Sequence, residues 1–188
     1  MGKLLYSVSM SLDGFIAGPG GDMSWLTQYL GPNPEIDALV GRIGAILAGG
    51  RTFRGDDPHR DTEAEGKAFG GGWEGPQFVL TRNVPVDPSP GITFVTDLHQ
   101  AVAAATAAAG DKYVNVLGAE TARRCLEVGA LDEILTCIAP VLLGDGVRLF
   151  DHPGGAHVRL ERIGLSQAPL ATNIWMRVVR DGGGVGMA

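Results

Sequence analysis

Cysteine is scarce in this chain of 188 residues: Cys125 and Cys137 are the only two, one inside an expected helix and one inside an expected strand. Two thiols in separate elements point to buried, reduced side chains and supply no disulfide framework. The four histidines, His59, His99, His152 and His157, are not paired with cysteine or acid at the spacing of a zinc site, so no metal is expected. Long apolar runs are missing as well. No stretch approaches the roughly 20 residues of a membrane span, and the first residues read as strand without a charged-then-apolar leader pattern. These absences predict a cytoplasmic protein with no membrane partner. Positive charge is also short: the formal net charge is −6, a field that repels polyanions and argues against a nucleic-acid partner. A phosphorylated ligand would therefore need locally placed arginines.

What is present is ordinary globular material, 45% apolar and long enough for one domain with a real core. That domain is expected over residues 1–180. The glycine-rich end, 181–188, is expected to be a disordered tail. Strands are expected at 3–10, 45–48, 77–81, 92–95, 113–117 and 133–139, followed by two alternating runs at 158–166 and 173–179 that read as a terminal hairpin. Helical patterns lie between them: 34–43 with Pro34 in the first turn, 97–109 opened by Asp97 and Gln100 at capping-box spacing, and 122–128. Early parallel crossovers and a late antiparallel hairpin describe an α/β protein with a mixed sheet flanked by helices. The polar, glycine-rich stretch 54–76 is long for a loop in a compact domain and reads as a flexible flap.

Two of these strands end in glycine turns. Ala45-Ile46-Leu47-Ala48 breaks into Gly49-Gly50-Arg51-Thr52-Phe53, and Tyr113-Val114-Asn115-Val116-Leu117 breaks into Gly118-Ala119-Glu120-Thr121. Glycine lets a ligand approach the main chain, freed N–H groups donate to anionic oxygens, and Arg51 adds a charge-assisted contact. Each turn alone is equally an ordinary strand-to-helix connection. Together, at the carboxyl ends of strands in an α/β sheet, they mark a phosphate-binding crevice.

With Ser11-Leu12-Asp13-Gly14-Phe15-Ile16-Ala17 before them and Ala139-Pro140-Val141-Leu142-Leu143-Gly144-Asp145-Gly146-Val147-Arg148-Leu149-Phe150 after them, the chain resembles the dihydrofolate reductase-like superfamily over residues 3–180. More narrowly, it resembles the pyrimidine reductase domain of riboflavin biosynthesis. The resemblance implies a three-layer α/β fold with a mostly parallel eight-stranded sheet and an antiparallel C-terminal hairpin. It also implies hydride transfer from NADPH to a pterin or a pyrimidine of the 5-amino-6-ribosylaminouracil type. Carried over, the nicotinamide-side residues are Ser9, Asp13 and Ile16. The first phosphate turn is Gly49, Gly50, Arg51 and Thr52. The adenosine-side strand end is Leu80, Thr81 and Arg82, and the pyrophosphate turn is Leu117, Gly118, Ala119, Glu120 and Thr121. Arg51 and Arg82 would then distinguish NADP from NAD. The same resemblance implies a homodimer, to which the apolar run Ile174, Trp175, Met176, Val178 and Val179 is suited.

Two departures stand out. Dihydrofolate reductases carry two glycines joined by a cis bond where this chain has Gly118-Ala119, and here a cis bond would cost about 2.5–4 kcal/mol. They also place a carboxylate on the first helix, where simple register puts Leu30. Asp37 and Glu35 lie nearby, as substitutes or as partners of a helix N-terminus. Asp13 and Asp37 are thus the candidate catalytic acids, with Asp13 and Trp25 as candidate substrate contacts. Trp25 is equally a core side chain. The missing acid favours a pyrimidine reductase over dihydrofolate reductase activity proper, and leaves room for a module that binds NADPH without turnover. A dimer that kept the fold and lost the cofactor fits less well with Gly49, Arg51 and Thr52.

Overall fold

The computed structural model describes residues 2–87 and 90–180; the expected tail lies outside them. Ten strands and four α-helices follow in the order β1 (Leu4–Ser11), β2 (Phe15–Ala17), α1 (Pro34–Val40), β3 (Ile43–Gly49), α2 (Gly50–Phe53), β4 (Gln77–Leu80), β5 (Ile92–Val95), α3 (Leu98–Ala109), β6 (Tyr113–Leu117), α4 (Ala119–Glu127), β7 (Leu131–Ala139), β8 (Val147–Arg148), β9 (Leu160–Ala168) and β10 (Ala171–Val178). Eight strands form one sheet in the order β5-β4-β3-β6-β1-β7-β10-β9. The first six run parallel, β10 runs antiparallel to β7, and β9 runs antiparallel to β10. The expected architecture is therefore present. The additional β2–β8 ribbon was not expected, because strands of three and two residues carry no readable period.

Helices cover the sheet unequally. On one face, α3 and α4 pack Leu98, Ala101, Ala105, Ala122 and Cys125 against Tyr6, Leu47 and Val116. Alanine at three- and four-residue intervals lets α3 lie close to the strands: a Cβ on Gly44 would stand 2.5 Å from the Ala109 carbonyl oxygen. Asp97 caps α3 as expected, accepting from the Gln100 amide at 2.9 Å. On the other face, Leu39 of α1 and Trp73 pack against Leu5, Ile46, Leu135 and Trp175. The helix expected over 34–43 stops at Val40, and Ile43 already belongs to β3. Its side chain satisfies either period, and a turn that brings the Arg42 amide to the Leu39 carbonyl at 2.8 Å settles it as strand.

The stretch 54–76 is pinned rather than loose at its far end. Trp73 is buried and donates from Nε1 to the Ile43 carbonyl at 3.0 Å, and Ala68–Gly71 form a 3-10 turn. At the amino ends of the central strands, the buried carboxylate of Glu133 accepts from Lys3, Tyr113 and Trp175 at 2.7–2.9 Å. Burial, followed by the Glu133 bond, pushes the Tyr113 phenol up to about 12. This polar cluster lies at the opposite end of the sheet from the site described next.

Candidate active site

The carboxyl ends of β4, β3, β6, β1 and β7 open into one long cleft with a volume of about 2590 Å³. A pocket for one drug-sized ligand occupies about 300–1,000 Å³, so there is room for an extended dinucleotide and a second molecule. Of the residues singled out in the sequence, Ser9, Ile16, Asp37, Gly49, Gly50, Arg51, Thr52, Leu80, Thr81, Arg82, Leu117, Gly118, Ala119, Glu120 and Thr121 all line this cleft. Asp13 and Trp25 are not among its lining residues.

The glycine turns interlock through threonines. A Cβ on Gly118 would stand 2.1 Å from Thr52 Oγ1, one on Gly49 would stand 2.5 Å from Thr121 Oγ1, and one on Gly50 would stand 2.7 Å from Thr81 Oγ1. Each turn thus seats a hydroxyl side chain of its neighbour where no side chain of its own fits. Gly118 also has φ +96°, a conformation that alanine adopts only under strain. No peptide bond among the described residues is cis, so the Gly118-Ala119 turn is trans. The cradle fits a phosphate-bearing group, because the close-packed turns bring the hydroxyls of Thr52, Thr81 and Thr121 to the cleft lining and the nine-residue α4 begins there.

Cations collect at the same end. Among the described residues Arg51, Arg54, Arg82 and Arg124 line the cleft and pair with no carboxylate. Arg123 is different, since it grips Glu120 through Nε at 3.1 Å and NH2 at 2.7 Å and also pairs with Glu127. The Arg123 hydrogen bond holds the Glu120 carboxyl below its usual range and offsets a charge that would otherwise repel an anion. Arg54 was missed in the sequence because it follows the turn; its NH2 comes within 3.3 Å of where a Gly50 Cβ would lie.

Asp13 sits beneath the β2–β8 ribbon rather than in the cleft. Its Oδ1 accepts from Ser11 Oγ at 2.6 Å and from the Leu143 amide at 3.1 Å, while Oδ2 accepts from the Gly144 amide at 2.7 Å. These donors, Ser11 first, hold the carboxyl down at about 2. Asp13 therefore clasps the loop after β1 to the loop after β7, and the ribbon so fixed presents Phe15, Ile16, Ala17, Val147 and Arg148 to the cleft. Arg148 stacks its guanidinium 4.5 Å from the Phe15 ring centroid. Trp25 is buried beside Leu26 and Ala139, and its 3-10 helix, Ser24–Tyr29, turns Leu26 and Tyr29 to the cleft instead.

The α1 side has another character. Ile36, Asp37 and Val40 of α1, Ser7 and Ser9 of β1, Cys137 of β7 and Asn33 all line the cleft. Asn33 and Asn173 exchange amide hydrogen bonds at 2.9 Å each way, and Asn173 also donates to Ser166 Oγ at 3.1 Å. Ser166 Oγ in turn donates to Glu35 at 2.9 Å. Glu35 is thereby engaged, whereas Asp37 is exposed on the first turn of α1. Burial, with the Glu35 charge adding to it, pushes the Cys137 thiol up to about 12. No sequence motif marks this side, because its groups come singly from separate elements.

Similarity to solved structures follows the same architecture. A protein of Shewanella sp. PV-4 assigned to riboflavin biosynthesis superposes with a TM-score of 0.72 at 23% identity, covering 96% of this chain and 100% of that one. The diaminohydroxyphosphoribosylaminopyrimidine deaminase/5-amino-6-(5-phosphoribosylamino)uracil reductase of Thermotoga maritima gives 0.66 at 16% identity, over 95% of this chain and 57% of that one. This chain thus spans little more than half the length of that bifunctional relative. The riboflavin biosynthesis reductase of Saccharomyces cerevisiae gives 0.62 at 15% identity, over 95% and 90%. No curated protein matches the chain in sequence. The dihydrofolate reductase-like fold is shared by these structures, and the model of the RibD C-terminal domain matches residues 2–169, so the chain belongs to the RibD C-terminal domain family.

Proposed function

We propose that this protein is an NADPH-dependent reductase of a heterocyclic substrate, a pyrimidine of the 5-amino-6-ribosylaminouracil type or a pterin-like ring. The observation that carries this reading is the interlocked glycine cradle beside four arginines that pair with no carboxylate, at one end of a cleft of about 2590 Å³. When bound, the cofactor supplies a hydride. Gly49, Gly50 and Gly118 give its phosphates access to the main chain, and Arg51, Arg54 and Arg82 supply the charge that the acidic whole lacks. Ile16 and Ser9 border the reacting end, where the β2–β8 ribbon excludes water. Asp13 serves as a positioning residue, acting through the ribbon it clasps, and the proton comes from water or from Asp37 at the rim. Membership of the RibD C-terminal family favours the pyrimidine over folate, as does the absence of a buried acid on α1. The same family suggests a cytoplasmic biosynthetic enzyme.

Titration with NADPH and NADH, followed by a screen of ribosylaminopyrimidines and pterins for absorbance loss at 340 nm, tests the reading. NADPH binding tighter than NADH, with oxidation on adding a pyrimidine, is the expected result; tight NADPH binding with no turnover on any heterocycle would favour a cofactor-binding module. A homodimer belongs to the same reading. Trp175 of the expected interface is buried within the chain and bonded to Glu133, so the apolar surface left for a partner is on the edge strand β9, where Leu160, Ile163 and Leu165 are 43%, 38% and 60% exposed. A monomeric mass by light scattering at micromolar concentration would remove that part.

A further inference from the structure

A buried hydroxyl on β1 borders the cleft without a partner. Side chains alternate along this strand: Leu5 packs with residues of α1, whereas Leu4, Tyr6 and Val8 pack with residues of α3 and α4. Tyr6 is fully buried and lines the cleft, as Val8 does. Its main chain is enclosed between β6 and β7, in register with Val116 and Ile134, so it meets the cleft through its side chain. The ring is set edge-on to Phe150, with centroids 5.8 Å apart and planes at 81°. The phenol oxygen has no hydrogen-bond partner among the described residues. Burial pushes its pKa up, so the hydroxyl keeps its proton and is a donor at neutral pH. For packing alone, phenylalanine would fill the same space without an unmet donor, and a buried tyrosine hydroxyl ordinarily finds a partner. The partner this hydroxyl calls for has to come from the cleft.

The strand order β4-β3-β6-β1 says which partner that is. On the reading above, the adenosine end of the cofactor lies at β4, with Thr81 and Arg82, and its phosphates lie at the glycine turns that follow β3 and β6. Neighbouring strands stand about 4.8 Å apart, so one further step along the sheet carries an extended dinucleotide from the β6 turn to β1. The part that arrives there is its nicotinamide end. Tyr6 also points to the sheet face on which α4 rises from the Gly118 turn, away from α1 and the substrate side. The hydrogen-bonding group of a nicotinamide ring is its carboxamide, whose carbonyl oxygen accepts what a phenol donates. We propose that Tyr6 is a further cofactor-orienting residue, whose phenol donates a hydrogen bond to the carboxamide oxygen of the nicotinamide ring and holds that ring at the β1 end of the cleft. The inference rests on the cofactor reading above.

Isothermal titration of the wild type and of Tyr6→Phe with NADP⁺ and with 2′-phospho-ADP-ribose, which keeps every phosphate but lacks the nicotinamide, tests it. Tyr6→Phe should bind NADP⁺ about tenfold more weakly, the factor of one ordinary hydrogen bond, and should bind 2′-phospho-ADP-ribose as tightly as the wild type. Urea unfolding of the ligand-free variant gives a second readout. Its midpoint should hold or rise, because a buried hydroxyl without a partner adds nothing to the folded state. Unchanged NADP⁺ affinity overturns the assignment and leaves the cofactor reading standing. An equal loss for both ligands does the same, since the hydroxyl would then shape the cleft as a whole. A midpoint that falls reveals a partner within the protein and overturns the assignment as well. A wild-type protein that binds neither ligand overturns the cofactor reading with it.

Discussion

At the end of the cleft under β3, β4 and β6, the ligand-facing groups are glycine turns and arginines clustered within a few residues of one another in sequence. At the end beside α1 they are single side chains from β1, β7, α1 and the preceding loop. On the proposed reading the first end takes something common to many proteins, a phosphate-bearing cofactor, and its turns pack closely enough that glycine is required in them. On the same reading the second end takes a particular substrate, and its side chains are brought together only by the whole fold. The difference teaches where a sequence motif arises: it arises where the backbone itself makes the contact. Changes at the two ends should accordingly fail in different ways.

The largest effect is expected at Gly118. In Gly118→Ala the new Cβ meets Thr52 Oγ1 at 2.1 Å in a backbone conformation of φ +96°. Strain and overpacking cost about 1–3 kcal/mol each. Urea unfolding should show a loss in that range or above, and NADPH affinity should fall with it. Adding Thr52→Ala removes the clash but not the strain, so the double variant should recover part of the stability and none of the NADPH affinity. Recovery of the full stability would show that the positive φ costs nothing.

Next in size is Arg51→Ala, which should weaken NADPH by about 1–3 kcal/mol and spare NADH, as expected for a lost charge-assisted contact to the 2′-phosphate. Titrations with both cofactors measure it. The structure adds Arg54 beside Gly50 as a second claimant for that phosphate. Equal losses of NADPH and NADH with Arg51→Ala would place Arg51 on the pyrophosphate and leave the 2′ position to Arg54 and Arg82.

The legible end of the cleft corresponds closely to the turns read from the sequence, and the eight-strand sheet to its alternating and apolar runs. Asp13 and Trp25 are the instructive exceptions. Asp13 stands in a conspicuous Ser-Leu-Asp-Gly turn, but its carboxylate is spent on two amides from residues 143 and 144, about 130 positions away. Nothing local in the sequence distinguishes an acid that faces a ligand from one that ties two loops. Trp25 lies one residue before Leu26, and on so short a helix a single step decides between core and cleft. The β2–β8 ribbon was illegible for the same reason, since long-range pairing defines it.

Asp13→Asn tests the clasp with an effect on turnover rather than affinity. Asparagine keeps the turn and offers one acceptor oxygen, so one of the Leu143 and Gly144 amides loses its partner. If the ribbon orders the reacting end, kcat should fall while NADPH affinity at the glycine turns changes little. The pH dependence gives an independent readout. The folded pKa of about 2 lies below the ordinary carboxylate value, so the carboxylate stabilises the fold above about pH 4, and that contribution is lost as pH falls toward 2. Asp13→Asn should flatten the acid limb of the stability profile in that window. An unchanged kcat with a flattened limb would make the clasp purely structural.

The smallest effect is expected at Asp37, and it bears most directly on the contrast between the two ends. Asp37 is exposed on the first turn of α1, where an acid favours the helix by about 0.3–1 kcal/mol through its dipole. Asp37→Asn should cost stability of that order and little else if the proton comes from water. A general acid contributes about 10²–10⁴-fold to a rate, so a loss of that size with unchanged NADPH affinity would make Asp37 the displaced counterpart of the missing helix carboxylate. It would then carry the proton at the substrate end and bring dihydrofolate reductase chemistry back into consideration. A small change leaves the proton to come from water and Asp37 as a helix N-terminal acid.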